Sequence, residues 1–177
     1  MRFVLGLLFA ASLAGCATTA DSASSADIQT QVSTEAKFSA YKTYSWLAQP
    51  EGATPEGSQF IVSAIDAQMQ QRGWQRVPEN GDIAVRVQVA TAEKQTIEAV
   101  YTAAGGGYGW SAGMGAMTTR AVAYRAGTMV VDLFDTSTKR GVWRATASGA
   151  LPSSQAHTKV MVDKVIQDMF AKLPTGP

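Results

Sequence analysis

Cys16 is the single cysteine of the 177-residue chain, and its neighbours indicate that it carries lipid. A basic Arg2, an apolar run from Phe3 to Leu13 and a small-residue end are typical of a secretory signal peptide. The tetrapeptide LAGC that ends in Cys16 resembles the bacterial lipobox, in which the nucleophilic thiol forms a thioether with a diacylglyceryl group before cleavage on its amino side. We predict that residues 1–15 are a lipoprotein signal peptide and that Cys16 is the lipid attachment site. The alternative is an ordinary signal peptide with a chance cysteine.

The predicted lipid would anchor the protein to a membrane that the chain does not span. The apolar run of 11 residues is short against the roughly 20 residues that a membrane-spanning helix needs. Each buried methylene contributes about 0.8 kcal/mol, so two or three acyl chains make a stable anchor. By the sorting rule of enteric bacteria, Ala17 in place of Asp directs a lipoprotein to the outer membrane, facing the periplasm. The small, polar residues 16–27 are expected to form a flexible tether.

The charge balance argues against a nucleic-acid partner. The chain has 15 basic and 14 acidic residues, and removal of residues 1–15 takes away Arg2, which leaves 14 of each. Proteins that bind phosphate backbones usually carry a strongly basic face. We therefore expect no nucleic-acid partner, and a membrane contact that depends on the lipid at Cys16.

Residues for catalysis or for a cofactor are sparse. His157 is the only histidine, and no G-x-S-x-G nucleophile motif is present. A catalytic triad needs a base, a nucleophile and an orienting acid, and a zinc site needs several nitrogen or sulfur ligands. We therefore expect His157 to be a solvent-facing helix residue, and the protein to be no enzyme and to hold no metal or other cofactor.

Two groups of oxygen-bearing side chains in the sequence are candidate sites. Asp132, Asp135 and Thr136 supply oxygen atoms of the kind that hard cations prefer, but the spacing of a calcium loop is absent. Asp135 at the start of a turn, with its side chain bound to the backbone, is the preferred interpretation. Glu93 and Glu98 resemble solvated charges at a strand end, and a paired-carboxylate site remains their alternative.

The segment from Gly105 to Met117 is rich in glycine and also carries large apolar side chains. It is not a P-loop, because no lysine occurs between Lys94 and Lys139. One interpretation is a surface excursion without a function. The other is a partner-docking loop, in which flexible backbone presents four large side chains, namely Tyr108, Trp110, Met114 and Met117.

The periodicity of apolar residues predicts the elements that must position these groups. Strands with period-2 alternation are predicted over 28–32, 42–47, 83–89, 127–134 and 142–148. Residues 95–101 form either a further strand or a continuation of the strand that begins at residue 83. Apolar stripes predict helices over 58–72 and 155–173, the first capped by Gly57 or Ser58 and ended by Gly73. The predicted fold is α+β, a two-layer sandwich of a mostly antiparallel sheet with two helices on one face. Three tryptophans are assigned to its packing: Trp46, Trp74 and Trp143.

Several short motifs, in this order, resemble those of the DUF4136 lipoproteins, a family whose domain has no known function. They are FSAYKTYSW at 38–46, RGW at 72–74, DIAVRV at 82–87, GTMVVDLFD at 127–135 and KRGVWR at 139–144. The resemblance covers residues 28–175 and departs from the family at Ala145, where Gly is common. It implies a single envelope domain, but neither an activity nor site residues.

These observations favour an outer-membrane lipoprotein that acts as a non-enzymatic binding or envelope-structure module, with an envelope protein or a glycan as its partner. One alternative is a hydrolase or transferase acting on peptidoglycan or lipid, which would need a pocket that gathers Asp132, Glu98 and His157. Another is a carrier of a lipid or amphiphile, which would need a deep apolar cavity between helices and sheet.

Overall fold

The computed structural model describes residues 26–102 and 116–175, and for residues 96–102 and 116–120 it describes the backbone alone. Six strands form one sheet in the order β1-β6-β5-β4-β2-β3, and all neighbours are antiparallel except β2 with β4 and β2 with β3. Two helices complete the domain, which confirms the predicted α+β class. In chain order, the elements are β1 (Asp27–Val32), β2 (Thr43–Trp46), α1 (Pro55–Gln71), β3 (Gln75–Arg76), β4 (Ile83–Thr102), β5 (Ala116–Asp135), β6 (Arg140–Ala150) and α2 (Gln155–Ala171).

The sheet has one face toward the helices and one open face, and the alternation of residue types decides which is which. On β4, Ile83, Val85 and Val87 are buried in the core, whereas Arg86 and Gln88 between them point the other way. The same alternation runs through β5 and β6. The face toward the helices is the apolar one, with the residues Ile83, Val85, Val87, Met129, Val131, Leu133, Trp143, Ala145 and Ala147.

Helix α1 begins three residues before its predicted start. The cap is Thr54, whose hydroxyl accepts a hydrogen bond from the N–H of Gly57 at 3.1 Å, so the assignment of the cap to Gly57 or Ser58 was wrong. Pro55 follows in the first turn, where its fixed φ suits a helix and its missing N–H costs nothing. The helix ends at Gln71, one residue before its predicted end, and Gly73 follows at φ +80°, as predicted.

Helix α2 begins at Gln155 as predicted and ends at Ala171, two residues before the predicted end. Arg72, at the end of α1, donates hydrogen bonds to the carbonyl oxygens of Phe170 at 2.5 Å and Leu173 at 2.9 Å. A helix leaves its last carbonyl groups without partners inside the helix. The guanidinium of Arg72 therefore adds a charged donor to the carbonyl groups at the end of α2 and joins the two helices.

Aromatic rings close the core beside the helices. Tyr41 packs edge-on against both Phe38 and Trp74, with ring centroids 6.0 Å apart in each pair. Trp143 lies 5.3 Å from Phe170 of α2. Trp74 and Trp143 are buried and Trp46 packs at the edge of the core, which confirms the predicted role of the three tryptophans.

Strands β4 and β5 are much longer than the rest of the sheet. Each has 20 residues, and they pair continuously from Ile83 opposite Asp135 to Thr102 opposite Ala116. The pairing of β6 with β5 reaches only Ala126. We call residues 92–102 and 116–126 the arm; at about 3.3 Å per residue, it is roughly 35 Å long.

The arm settles one open prediction and corrects another. Residues 95–101 continue the strand that begins at Ile83 and do not form a separate one. The start of β5 lies at Ala116, whereas the sequence predicted Gly127. In the arm, side chains on both faces are exposed at Ala121, Ala123, Tyr124 and Arg125, so residues 121–125 have no buried face to impose an alternating pattern.

Candidate functional site

At one end of the sheet, Asp135 organises the turn between β5 and β6. Its Oδ1 accepts hydrogen bonds from the N–H and hydroxyl of Ser137, at 2.8 and 2.6 Å, and from the N–H of Thr138 at 3.0 Å. Its Oδ2 accepts one from the Tyr41 hydroxyl at 3.0 Å. These donors, the Ser137 hydroxyl first among them, lower the pKa of Asp135 to about 2. The predicted turn is confirmed, and the carboxylate is fully used in building it.

Asp82 and Asp135 both line an open cleft of about 650 Å³. Like Asp135, Asp82 uses its carboxylate to hold backbone groups in place. Its Oδ2 accepts hydrogen bonds from the backbone N–H groups of Lys42 at 2.8 Å and Thr43 at 2.9 Å, and these bonds lower the pKa of the carboxyl. Its own N–H donates to the Thr43 hydroxyl at 3.0 Å. Asp82 thereby fixes the start of β2 against the start of β4, which is a structural role.

Asp132 does not join Asp135 and Thr136 in a cation site, because it lies on the open face. Its side chain is 7% exposed, and Arg144 on β6 donates to both carboxylate oxygens, at 2.6 and 3.0 Å. Thr136 lies in the cleft, with its buried hydroxyl oxygen without a hydrogen-bond partner. Within residues 26–102 and 116–175, no group of three His, Cys, Asp or Glu residues is arranged to hold a metal ion.

The Asp132–Arg144 pair belongs to a row of alternating charges that crosses the open face. Arg86 of β4 lies opposite Asp132, and its guanidinium is 3.0 Å from a carboxylate oxygen of Glu51. Gln88 donates to the same oxygen at 3.2 Å, and Arg86 is the main cause of the lowered pKa of Glu51. The row balances its charges, so this part of the open face is polar and close to neutral.

The residues proposed for a hydrolase do not come together. His157 is exposed in the first turn of α2, as expected of a solvent-facing residue, and so lies on the helix side of the sheet. Asp132 points to the opposite side. Glu98 lies in the arm with its backbone opposite Arg120, and its side chain is outside the described part. Glu93 is exposed, opposite Arg125.

A hollow on the open face marks the place where the arm leaves the sheet. We call it the arm-root groove; it measures about 640 Å³. It is lined by alanine and glycine residues, by two threonines and a serine, and by three larger side chains. They are Ala90, Ala92, Ala126, Gly127, Gly149, Ala150, Thr91, Thr128, Ser148, Lys94, Val122 and Tyr124. Lys94 and Tyr124 are directly opposite each other on β4 and β5.

On the other face of the sheet, a nearly apolar slot lies beneath α2, with Met129, Leu151 and Met161 among its lining residues. Its volume is about 80 Å³. A water molecule occupies about 30 Å³ in the liquid, so the slot has room for a few carbon atoms and not for an acyl chain.

Four residues from the sequence analysis lie outside the described residues: Cys16, Tyr108, Trp110 and Met114. For Met117, only the backbone is described, in the second residue of β5. Neither the arm nor the groove at its root was predicted. Lys94 and Tyr124 are 30 positions apart in sequence, and only the register of β4 with β5 brings them together.

Comparison with protein families gives one match, to the family described as a domain of unknown function, DUF4136, over residues 28–175. The chain belongs to the DUF4136 family. This finding confirms the resemblance carried by the motifs from residue 38 to residue 144. No curated protein matches the chain.

Solved structures share the fold of this DUF4136 domain at low identity. A DUF4136 family protein from Bacteroides thetaiotaomicron is 14% identical, with a TM-score of 0.54 over 83% of this chain and 95% of the other. A PDZ domain protein from Parabacteroides distasonis is 13% identical, with a TM-score of 0.56 over 85% of this chain. The DUF4136 chain spans 36%, about a third, of that PDZ domain protein. A minor lipoprotein from Acinetobacter baumannii is a more distant likeness, with 12% identity and a TM-score of 0.34 over 75% of this chain and 92% of the other.

Neither of the two helices in the described part of the chain has the length and apolar character needed to cross a membrane.

Proposed function

We propose that this DUF4136 protein is a lipid-anchored, non-enzymatic module of the bacterial envelope, held at the outer membrane by Cys16 and facing the periplasm. Its partner would be another envelope component, bound through the arm and the open face beside it. The anchor is supported by the lipobox, and the family match supports the domain assignment.

The arm is the observation that carries the binding role. Two-stranded ribbons are marginally stable in water on their own, since most of their surface stays wet. Here ten residue pairs, from Glu93 opposite Arg125 to Thr102 opposite Ala116, extend past the end of β6, and their described side chains are largely exposed. Such a ribbon adds little to the core of the domain. Contact with a partner would give this exposed ribbon a role that the core does not.

The tether sets where the arm can act. Cys16 and Ala26, the first described residue, are ten positions apart, and an extended chain of that length spans at most roughly 35 Å. The arm adds roughly 35 Å more at about 3.3 Å per residue. We therefore expect the partner to lie no farther from the membrane surface than the tether and the arm can reach together.

The state of the described acidic residues favours binding over catalysis. Asp82 and Asp135 hold loops, and Asp132 holds Arg144. The 80 Å³ slot argues against the carrier alternative for the described part of the domain.

The experiment is an arm-less variant in which Asn-Gly replaces residues 92–126, so that a two-residue hairpin turn joins Thr91 to Gly127, an opposed pair. We expect its thermal unfolding to stay close to that of the wild type and its crosslinks in intact envelopes to disappear. A matched control replaces Gln167 and Lys164, both exposed on α2, with Ala. Retained crosslinks without the arm would refute the binding role, and a Cys16→Ser protein that still sediments with membranes after a high-salt wash would refute the anchor.

A further inference from the structure

The arm-root groove differs in chemistry from the rest of the open face. The charged row beyond it is balanced, whereas Lys94 is the one charged residue among the twelve described residues that line the groove. Glu93 and Arg125, its charged neighbours in sequence and across the strands, are opposite each other one position along, and so point to the other face of the ribbon. The groove therefore presents a single ammonium group to a ligand, and charge complementarity calls for a ligand that carries an anionic group, such as the carboxylate of a peptide.

The lining of the groove combines apolar and polar groups, which suits a ligand that has both. Val122 is the only large aliphatic side chain among the twelve, and Thr128 and Ser148 place hydroxyl groups on the same face of the sheet. An apolar ligand would take those hydroxyls out of water without replacing their hydrogen bonds, which costs free energy. A ligand rich in hydroxyl and amide groups would satisfy them.

Tyr124 supplies the surface on which such a ligand can rest. Its side chain is 37% exposed, at the wall of the groove and opposite Lys94. A tyrosine presents an apolar ring face and a polar hydroxyl at its tip. A sugar ring has the matching form, because C–H bonds cover its faces and hydroxyl or amide groups its edges. The alanine and glycine residues that line the groove with Tyr124 have small side chains or none.

We infer that the arm-root groove binds the glycan strand of peptidoglycan, with a sugar ring against Tyr124 and a carboxylate of the attached peptide at Lys94. This inference rests on the proposed function, because the predicted tether and arm would hold the groove within reach of the glycan layer between the membranes. Peptidoglycan combines the required groups in one polymer: amide-bearing sugar rings and peptide carboxylates at regular intervals.

The test is co-sedimentation of the full mature chain with purified sacculi. The wild type should sediment with them, and Tyr124→Ala should weaken the apparent Kd about tenfold, which corresponds to roughly 1.4 kcal/mol. Lys94→Gln should weaken it about threefold, and Tyr124→Phe, which keeps the ring, should bind nearly as well as the wild type. The matched control is Glu93→Gln with Arg125→Gln, at the same height on the opposite face of the ribbon, and it should bind as the wild type does.

Three further binding measurements distinguish the glycan strand from other ligands. With sacculi stripped of their peptides, Lys94→Gln should bind as tightly as the wild type, because the carboxylate that would pair with Lys94 is gone. Alginate, an acidic polysaccharide without peptides, and dextran, a neutral one, should both bind more weakly than sacculi. Absence of sacculus binding, an equal loss in the control, or equal binding to alginate would overturn the inference. Loss of sacculus binding alone, with arm-dependent crosslinks to a protein retained, would leave the proposed function standing and remove only its glycan partner.

Discussion

Arg144 and Asp132 face each other on β6 and β5 and form a two-pronged ion pair on the open face of the sheet. The carboxylate is nearly buried, with 7% of its side chain exposed, while the guanidinium is 54% exposed. The guanidinium of Arg144 therefore supplies the hydrogen bonds that water cannot supply to the nearly buried carboxylate of Asp132. The pair raises the pKa of Arg144 and holds β6 to β5 beside the bulge between Leu133 and Phe134.

Removal of one partner should be costlier than removal of both charges. We expect Arg144→Ala to lower the free energy of unfolding by about 1–2 kcal/mol, because it leaves a charged acceptor desolvated, discounted for the exposure of the arginine. Arg144→Ala with Asp132→Asn should recover part of that loss. Urea unfolding measures both variants. A double variant no more stable than the single one would show that the carboxylate charge is irrelevant.

Arg72 should determine the stability of the far end of α2. Its hydrogen bonds to Phe170 and Leu173 serve carbonyl groups at the end of that helix. We expect Arg72→Ala to cost about 1–2 kcal/mol by the loss of charge-assisted hydrogen bonds. Arg72→Lys should rescue little of it, since a compact ammonium does not reproduce the guanidinium fork. Hydrogen exchange should quicken in the last turn of α2.

The control for Arg72 is Lys164→Ala, which removes an exposed ion pair to Asp168 on the same helix. Such pairs contribute about 0.3–0.5 kcal/mol. An Arg72→Ala effect of the same size as the control would refute the capping role.

The carboxylates of the strand-end cleft predict acid sensitivity. The pKa of Asp135 is about 2 in the folded protein, below the roughly 3.9 of an unfolded Asp. Its contribution to stability is therefore complete above about pH 4 and is lost as the pH falls toward 2. Asp82, whose pKa is also lowered, adds in the same direction.

The measurement is the free energy of unfolding between pH 5 and pH 2 for the wild type and for Asp135→Asn. The variant should be less stable at pH 5, and its stability should fall less steeply with acid. Parallel curves for the two proteins would show that Asp135 titrates alike in the folded and unfolded states.

Lys172 contacts β1, which is the strand at one edge of the described sheet. The Ser33 N–H donates to Val142 of β6, so alternate residues of β1, Ile28 among them, direct their backbone groups away from β6. The ammonium of Lys172 covers the Ile28 carbonyl at 2.7 Å. A charged lysine at an edge strand opposes pairing with another chain.

We expect Lys172→Ala to increase self-association at a given concentration, as measured by sedimentation velocity. Lys159→Ala, on the first half of α2, serves as its matched control. An unchanged sedimentation coefficient in Lys172→Ala would argue that the edge is protected by other means.

The sequence predicted the parts of the fold that bury one face. Ile83 to Val89 alternates because one side of β4 meets the helices, and the α1 stripe of Ile61, Ile65 and Met69 repeats for the same reason. The start of α1 was missed because Thr54 and Pro55 lie outside the apolar stripe. The arm was missed because a ribbon exposed on both faces has no periodicity to detect.

Site prediction was limited by distance along the chain. Asp135 was assigned correctly, since its partners Ser137 and Thr138 are two and three residues away. Asp82 was not, because it acts on backbone groups of residues 42 and 43, about 40 positions earlier. Local spacing cannot reveal a contact that depends on the parallel pairing of β2 with β4.

Photo-crosslinking in intact cells tests whether the arm contacts another envelope component. A photo-reactive amino acid is placed at Ala123, exposed on the arm, and in a second strain at Gln167, exposed on α2. We expect an adduct with an envelope component from position 123, none from position 167, and loss of the adduct when Cys16→Ser removes the anchor. Equal adducts from both positions, or none from the arm, would contradict this expectation.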